Sequence, residues 1–356
     1  MDLLQDNKRE SNLELFRIIT MLIIVAHHYV VNSGLIDLVR ESVNYGINDA
    51  FLQLFGWGGK TGINCFVLIT GYFMCSSNIT TRKFIKLLAE VEFYAVTIYA
   101  VFVFTGYEVF SVKELVKTVF PITEIESNFT SCFLVFYLFI PFLNILIHHL
   151  SERQHLYLMA LCVIVCTILP SIMVRVRMSY VAWFCVLFFI ASYIRLYPKT
   201  WFESKRLWGW LTLANLLLSW TSVVAISLLG KKFGVENQYF FVADSNKVLA
   251  LSTAICAFML FKNLKIKKSR LINTISASTF GVLLIHANSD TMRQWLWKDT
   301  LKNMSYYSSG LLPAHAIASV IGVYVICTLI DYARIRWLEK PFLNLYDNHL
   351  FAKERG

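Results

Sequence analysis

The chain has 356 residues, of which 57% are apolar and only 16% charged, against roughly a quarter charged in an ordinary globular domain. A mean hydropathy of +0.57 excludes a soluble enzyme, and with about 20 residues needed for each crossing of a ~30 Å hydrocarbon core, some ten spans leave no room for a separate catalytic domain. The formal charge of +10 does not point to nucleic acid, because the Lys and Arg residues sit in short clusters between apolar runs and not on one solvated face.

At the N-terminus, Lys8 and Arg9 precede an apolar stretch in the manner of a signal peptide, yet Glu14 and Arg17 interrupt it and no small-residue cleavage site follows His27 and His28. It is expected to be retained as the first span, at about 13–33. Further spans are expected at about 57–75, 88–106, 129–150, 156–173, 179–197, 207–229, 240–261, 273–292 and 313–338. None of these runs alternates at period two, which sets barrel strands aside. The whole chain, 1–356, therefore reads as a single all-α integral membrane domain, a polytopic bundle of about ten transmembrane helices. An even number of spans puts both termini on one side, and the densest basic cluster, Lys262 to Arg270, lies on that side, so the termini are expected in the cytoplasm. Pro121, Pro170, Pro198, Pro313 and Pro341 lie near expected helix ends, whereas Pro141 falls in the interior of a span and is expected to kink it. The eight cysteines lack zinc-ligand spacing and read as packed or lipid-facing thiols; no metal site is expected.

Polar groups inside a membrane are costly and are functional candidates by default. In the first span, Arg17 and His28 are 11 positions apart, which leaves them about 20° apart on one helical face and about 16 Å apart along the axis, with Glu14 one turn below Arg17. That face carries an acid and a guanidinium near one end and an imidazole near the other. The same spacing also suits an i, i+3 interfacial ion pair beneath histidines that merely end the span.

In the second span, glycines at 56, 58, 59 and 62 allow close helix approach or an unwound entry, and Asn64 places an amide where lipid would not tolerate one. The glycine spacing does not match a phosphate loop. The ninth span brings His286 towards the same half of the membrane as His28. His148, His149, His155, His315 and His349 show no partner in the sequence. Asp244 and Lys247 flank the start of the eighth span, Lys247 being expected to snorkel, and Glu339 at the exit of the tenth is expected to pair with Arg336 or Lys340.

Arg17 with His28, GINCFVLITGYF in the second span, STFGVLLIHAN in the ninth and the terminal LEKPF resemble, in that order, the hallmark stretches of the membrane acyltransferase-3 family, over about residues 10 to 345. The resemblance implies an integral-membrane enzyme that moves an acyl group, usually acetyl from acetyl-CoA, onto a hydroxyl of an extracytoplasmic glycan or glycolipid. It also implies a bacterial inner membrane as the location. By it, Arg17 and His28 match the family's arginine and essential histidine, Glu14 stands where an aspartate is common, His286 matches the histidine of the ninth span and Glu339 the acid before the proline. The chain departs from the pattern at Asn64 and Thr70, where Asp and Ser are frequent, but keeps Gly71 and the aromatic at Tyr72. No appended SGNH-type esterase domain is expected.

Physical reasoning fits the same chemistry. A hydroxyl is a poor nucleophile, and an imidazole with a pKa near 6.5 can take its proton, an effect typically worth 10²–10⁴-fold. His28 is the candidate base, with a covalent acyl-histidine left open. Arg17, with Arg82 and Lys83, is expected to hold the CoA phosphates, Glu14 to orient Arg17, Asn64 and His286 to line the substrate path, and His27, Tyr72 and Glu339 to support the site. The alternative is a proton-coupled secondary transporter of an anionic or glycan-linked solute, although the chain shows no internal repeat.

Overall fold

The computed structural model describes residues 10–42, 44–120, 128–172, 179–233 and 239–353. Lys8, Arg9, Arg175, Arg177 and Arg355, and the side chains of Lys231, Lys232, His349 and Lys353, lie outside the described residues. All regular structure within them is helical. The elements are α1 (Ser11–Val31), α2 (Leu35–Glu41), α3 (Ile47–Gly56), α4 (Gly59–Met74), α5 (Thr81–Phe104), α6 (Val112–Val119), α7 (Phe129–His149) and α8 (Glu152–Val163). They continue as α9 (Tyr180–Leu196), α10 (Lys205–Phe233), α11 (Val248–Lys262), α12 (Arg270–Ala277), α13 (Thr279–His286), α14 (Asp290–Arg293), α15 (Leu312–Arg334) and α16 (Lys340–Lys353). Three π-helical stretches extend α8, extend α14 and join α15 to α16.

Six helices among these are long and apolar enough to cross a membrane: α1, α5, α7, the run 152–171, α10 to residue 229 and the run 312–348. A seventh exists only if the bent pair 270–286 and 290–306 counts as one crossing. The expected count of about ten is not confirmed among the described residues, for local reasons. In the second expected span α3 ends at Gly56 and α4 begins afresh at Gly59, so α4 has 16 residues, about 24 Å at 1.5 Å per residue. The eighth starts at Val248, not near 240, because residues 240–247 form turns. The ninth stops at His286, and the chain then turns by 95° into α14. The tenth does not end near 338 but runs on through the π-helical stretch at 335–339 and Pro341 into α16.

Burial explains which helices are short. α4, α9 and α11 are largely buried, so protein surrounds most of their surface and they need not match the bilayer thickness. The outer helices turn leucines outward instead, as at Leu213, Leu217 and Leu218 of α10. α1 lies at the centre, packed on α3, α4, α11, α12, α13 and α15. Its seam with α4 is closed by missing side chains: a Cβ on Gly59 would lie 2.2 Å from the His27 ring, and one on Gly62 would lie 2.7 Å from Ile24. Both the close approach and the broken entry expected of these glycines are present. All eight cysteines are free.

Candidate functional site

At the C-terminal end of α1, His28 Nδ1 lies 2.9 Å from His286 Nε2, the last residue of α13. The bond has a direction. His286 Nδ1 is 2.6 Å from the Val282 carbonyl oxygen, which can only accept, so Nδ1 donates and Nε2 of the neutral ring is left as an acceptor. His28 Nδ1 must therefore donate to it, and His28 Nε2 is left as a bare lone pair that no described residue bonds. A third imidazole, His27, donates from Nδ1 to the Gly56 carbonyl at 2.6 Å, where α3 ends. Trp297 stands edge-on to His286, with centroids 6.3 Å apart, and is fully buried.

The opposite end of the same α1 face carries Glu14 and Arg17. Glu14 is buried and accepts a bond from Ser276 Oγ of α12; Arg17 Nη1 lies 3.4 Å from both of its oxygens. The i, i+3 pair is present, but Arg17 spends only one nitrogen on it, and its guanidinium lies 5.8 Å from the Phe73 ring. Beside Phe73, Tyr72 accepts a 2.8 Å bond from Arg195 Nη1, whose guanidinium also covers the Tyr72 ring. A cleft of about 200 Å³ opens there, lined by Tyr72, Arg195, Phe202, Glu203 and Lys262 among others. Arg17 and Arg195 thus flank the same end of α4.

Other expected site residues are engaged elsewhere. Asn64 is fully buried, donating to the Ser245 carbonyl at 2.7 Å and accepting from Trp183 Nε1 at 2.8 Å; it pins α4, α9 and the turns before α11 together and does not bond either histidine. Arg82 forms a two-pronged pair with Asp347, at 2.8 and 2.9 Å, and Lys83 donates to Ser77 Oγ and the Asn78 carbonyl. Glu339 pairs with Arg334 at 2.9 Å and Lys86 at 2.7 Å, not with Arg336 or Lys340, because the π-helical stretch at 335–339 turns it inward. Lys247 does not snorkel: it donates to the Pro170 carbonyl and covers the Phe240 ring. Four histidines without a partner in the sequence have one in space: His148 and His149 on carbonyls of their own helix, at Asn144 and Ile145, His155 on the Phe189 carbonyl, and His315 on Tyr29 Oη with its ring stacked on Tyr306.

A buried ionic cluster escaped the sequence reading. Arg334 contacts Glu90 of α5 at 3.0 Å and Asp331 at 2.8 Å besides Glu339, while Tyr94 donates to Asp331. Asp331 occupies space that a side chain at Gly281 of α13 would fill: a Cβ there would lie 2.3 Å from its carboxyl carbon. The signal was available, since Glu90 and Asp331 are acids inside expected spans. Arg195 and Lys262 gave none, because a cation in a loop cluster reads as topology.

Among known protein families, a model described as an acyltransferase domain matches residues 10–332. No curated protein and no solved structure matches the chain.

Proposed function

The chain belongs to this acyltransferase family, whose model spans nearly its whole length, and from that premise we propose an O-acyltransferase that works across a bacterial inner membrane with both termini in the cytoplasm. Its donor is acyl-CoA, with acetyl as the acyl group, and its acceptor is a hydroxyl of an extracytoplasmic glycan or glycolipid. The observation that carries this reading is the directed bond from His28 to His286, which leaves His28 Nε2 unprotonated and unbonded.

His28 Nε2 takes the proton of the acceptor hydroxyl as its oxygen attacks the thioester carbonyl. The new C–O bond forms, the C–S bond breaks, and the proton passes from the imidazolium to the departing thiolate, so that acyl ester and free CoA thiol are the products. His286 holds the ring in the productive tautomer and accepts from Nδ1 while His28 carries charge, the part an orienting carboxylate plays in a catalytic triad. At the far end of the α1 face, Arg17, Arg195 and Lys262 hold the CoA phosphates, with Glu14 fixed by Ser276 behind Arg17. Arg82 and Lys83 have a lesser part, their donors being engaged by Asp347, Ser77 and Asn78. The ~16 Å between Arg17 and His28 along the helix suits a flexible pantetheine arm that carries the thioester from one end to the other. Nothing in the family match favours a transporter.

The test is turnover of [¹⁴C]acetyl-CoA by the purified protein in detergent beside a folded His28→Ala variant. Consumption by the wild type and none by the variant is expected; equal consumption by both would overturn the assignment of His28.

A further inference from the structure

Outside the histidine pair, three side chains from three elements meet at the histidine end of the bundle. Lys60 Nζ, in the first turn of α4, donates to Tyr180 Oη at 2.5 Å; Tyr180, the first residue of α9, donates to Asp244 Oδ1 at 2.8 Å; and Lys60 and Asp244 are 3.8 Å apart. Lys60 follows Gly59, against which the His27 ring packs.

Holding the fold together does not account for this triad. Asn64 is one turn further along α4, Trp183 one turn further along α9 and Ser245 next to Asp244, and these three residues already join the same three elements through buried hydrogen bonds. The outer layer repeats those connections with partly exposed charges, the Asp244 side chain at 54% exposure, where ion pairs add little stability. The segment that bears Asp244 is also held rigidly, by Asn246 on the Cys166 carbonyl, Lys247 on the Pro170 carbonyl and Ser171 on the Val248 amide.

The triad leaves hydrogen-bonding capacity facing outward. Asp244 Oδ1 takes the bonds from Tyr180 and from the Ser245 amide, while Oδ2 has no partner among the described residues. Lys60 has three N–H donors and directs one at Tyr180. A free acceptor and free donors fixed side by side match a group that both donates and accepts, which is a hydroxyl, and two neighbouring hydroxyls match them best.

Resting on the acyltransferase reading, we propose that Lys60, Tyr180 and Asp244 form a binding site for a saccharide diol, through which the acceptor is held beside His28. Asp244 Oδ2 accepts from one hydroxyl, Lys60 donates to its neighbour, and Tyr180 keeps the two charged groups at their spacing.

Two measurements on the full-length protein in detergent test this, with maltose and N,N′-diacetylchitobiose as probes. The first does not involve acyl transfer: either saccharide is expected to protect Lys60 from an amine-reactive reagent, read by mass spectrometry, and Asp244→Asn is expected to abolish the protection. Failure of both saccharides to protect Lys60 would overturn the site, whatever becomes of the enzymatic reading. The second follows label from [¹⁴C]acetyl-CoA: in Asp244→Asn and Lys60→Met the ratio of transfer to saccharide over hydrolysis is expected to fall at least about tenfold, a loss of roughly 1.4 kcal/mol. An unchanged ratio would overturn the site, whereas protection of Lys60 without any use of acetyl-CoA would keep it and remove the acyltransferase reading.

Discussion

His28 and His286 are 258 positions apart in the chain and are joined by a single 2.9 Å hydrogen bond whose direction is set by the Val282 carbonyl behind it. Both rings should therefore carry their proton on Nδ1, which ¹⁵N NMR of histidine-labelled protein would show. Loss of the base in His28→Ala should lower acyl transfer about 10²–10⁴-fold. Loss of its orienting partner in His286→Ala should lower it about 10–100-fold, as removal of a supporting hydrogen bond typically does at metal sites. A His286 variant as active as the wild type would contradict the arrangement.

The cleft at the far end of the bundle should govern donor affinity. Arg195→Ala and Lys262→Ala, removing cations beside Tyr72, should each raise the KM for acetyl-CoA by about tenfold or more, the loss of one hydrogen bond to a charged group being worth ~1.5–3 kcal/mol. Arg195→Ala should leave kcat within a factor of a few. A fall in kcat at constant KM would place these residues elsewhere in the reaction.

Asn64 should be a matter of stability. In Asn64→Ala the Trp183 indole N–H and the Ser245 carbonyl lose their partner in a buried setting, at about 1–3 kcal/mol for each group left unpaired. Thermal unfolding in detergent should show a lowered midpoint, with an unchanged KM for acetyl-CoA.

Arg334 holds three carboxylates, and its removal leaves them facing one another in a buried site. Arg334→Met should destabilise the protein by about 3–5 kcal/mol, the usual consequence of taking one partner from a buried ion pair. Arg334→Lys should recover only part of this, because an ammonium cannot address three acids as a planar fork does. Full recovery with Lys, measured by chemical unfolding, would show that charge alone matters.

Close contact at Gly59 should tolerate no side chain. A Cβ there meets the His27 ring at 2.2 Å, so Gly59→Val should overpack the α1–α4 seam by roughly 1–3 kcal/mol. Reduced thermal stability together with reduced transfer is the expected result.

Much of this organisation can be read from the residues. Arg17, Glu14 and His28 share a face because helical periodicity alone places them there, and His286 stands out because an imidazole in an apolar run needs a reason. Their meeting point could not be read, since a bond between positions 28 and 286 depends on tertiary packing. Apolar runs located the long helices but not α3 or α16, and hydropathy does not register where backbone hydrogen bonding stops. The break before Val248, for one, is held by contacts of the preceding turns, Asn246 to Cys166 and Lys247 to Pro170. Glu90 and Asp331 were visible as acids inside spans, whereas the contact of Asp331 with Gly281 requires the packing of α13 on α15.

The bond from His286 to Val282 has one more consequence. It reaches back four residues along the same helix, so its acceptor is supplied by α13 itself and not by a neighbouring helix. The proton of His286 is thus assigned by backbone geometry, and docking of α1 against α13 transmits that assignment to His28. A chemical state, the location of one hydrogen on one ring, thus follows from the register of one helix against its neighbour.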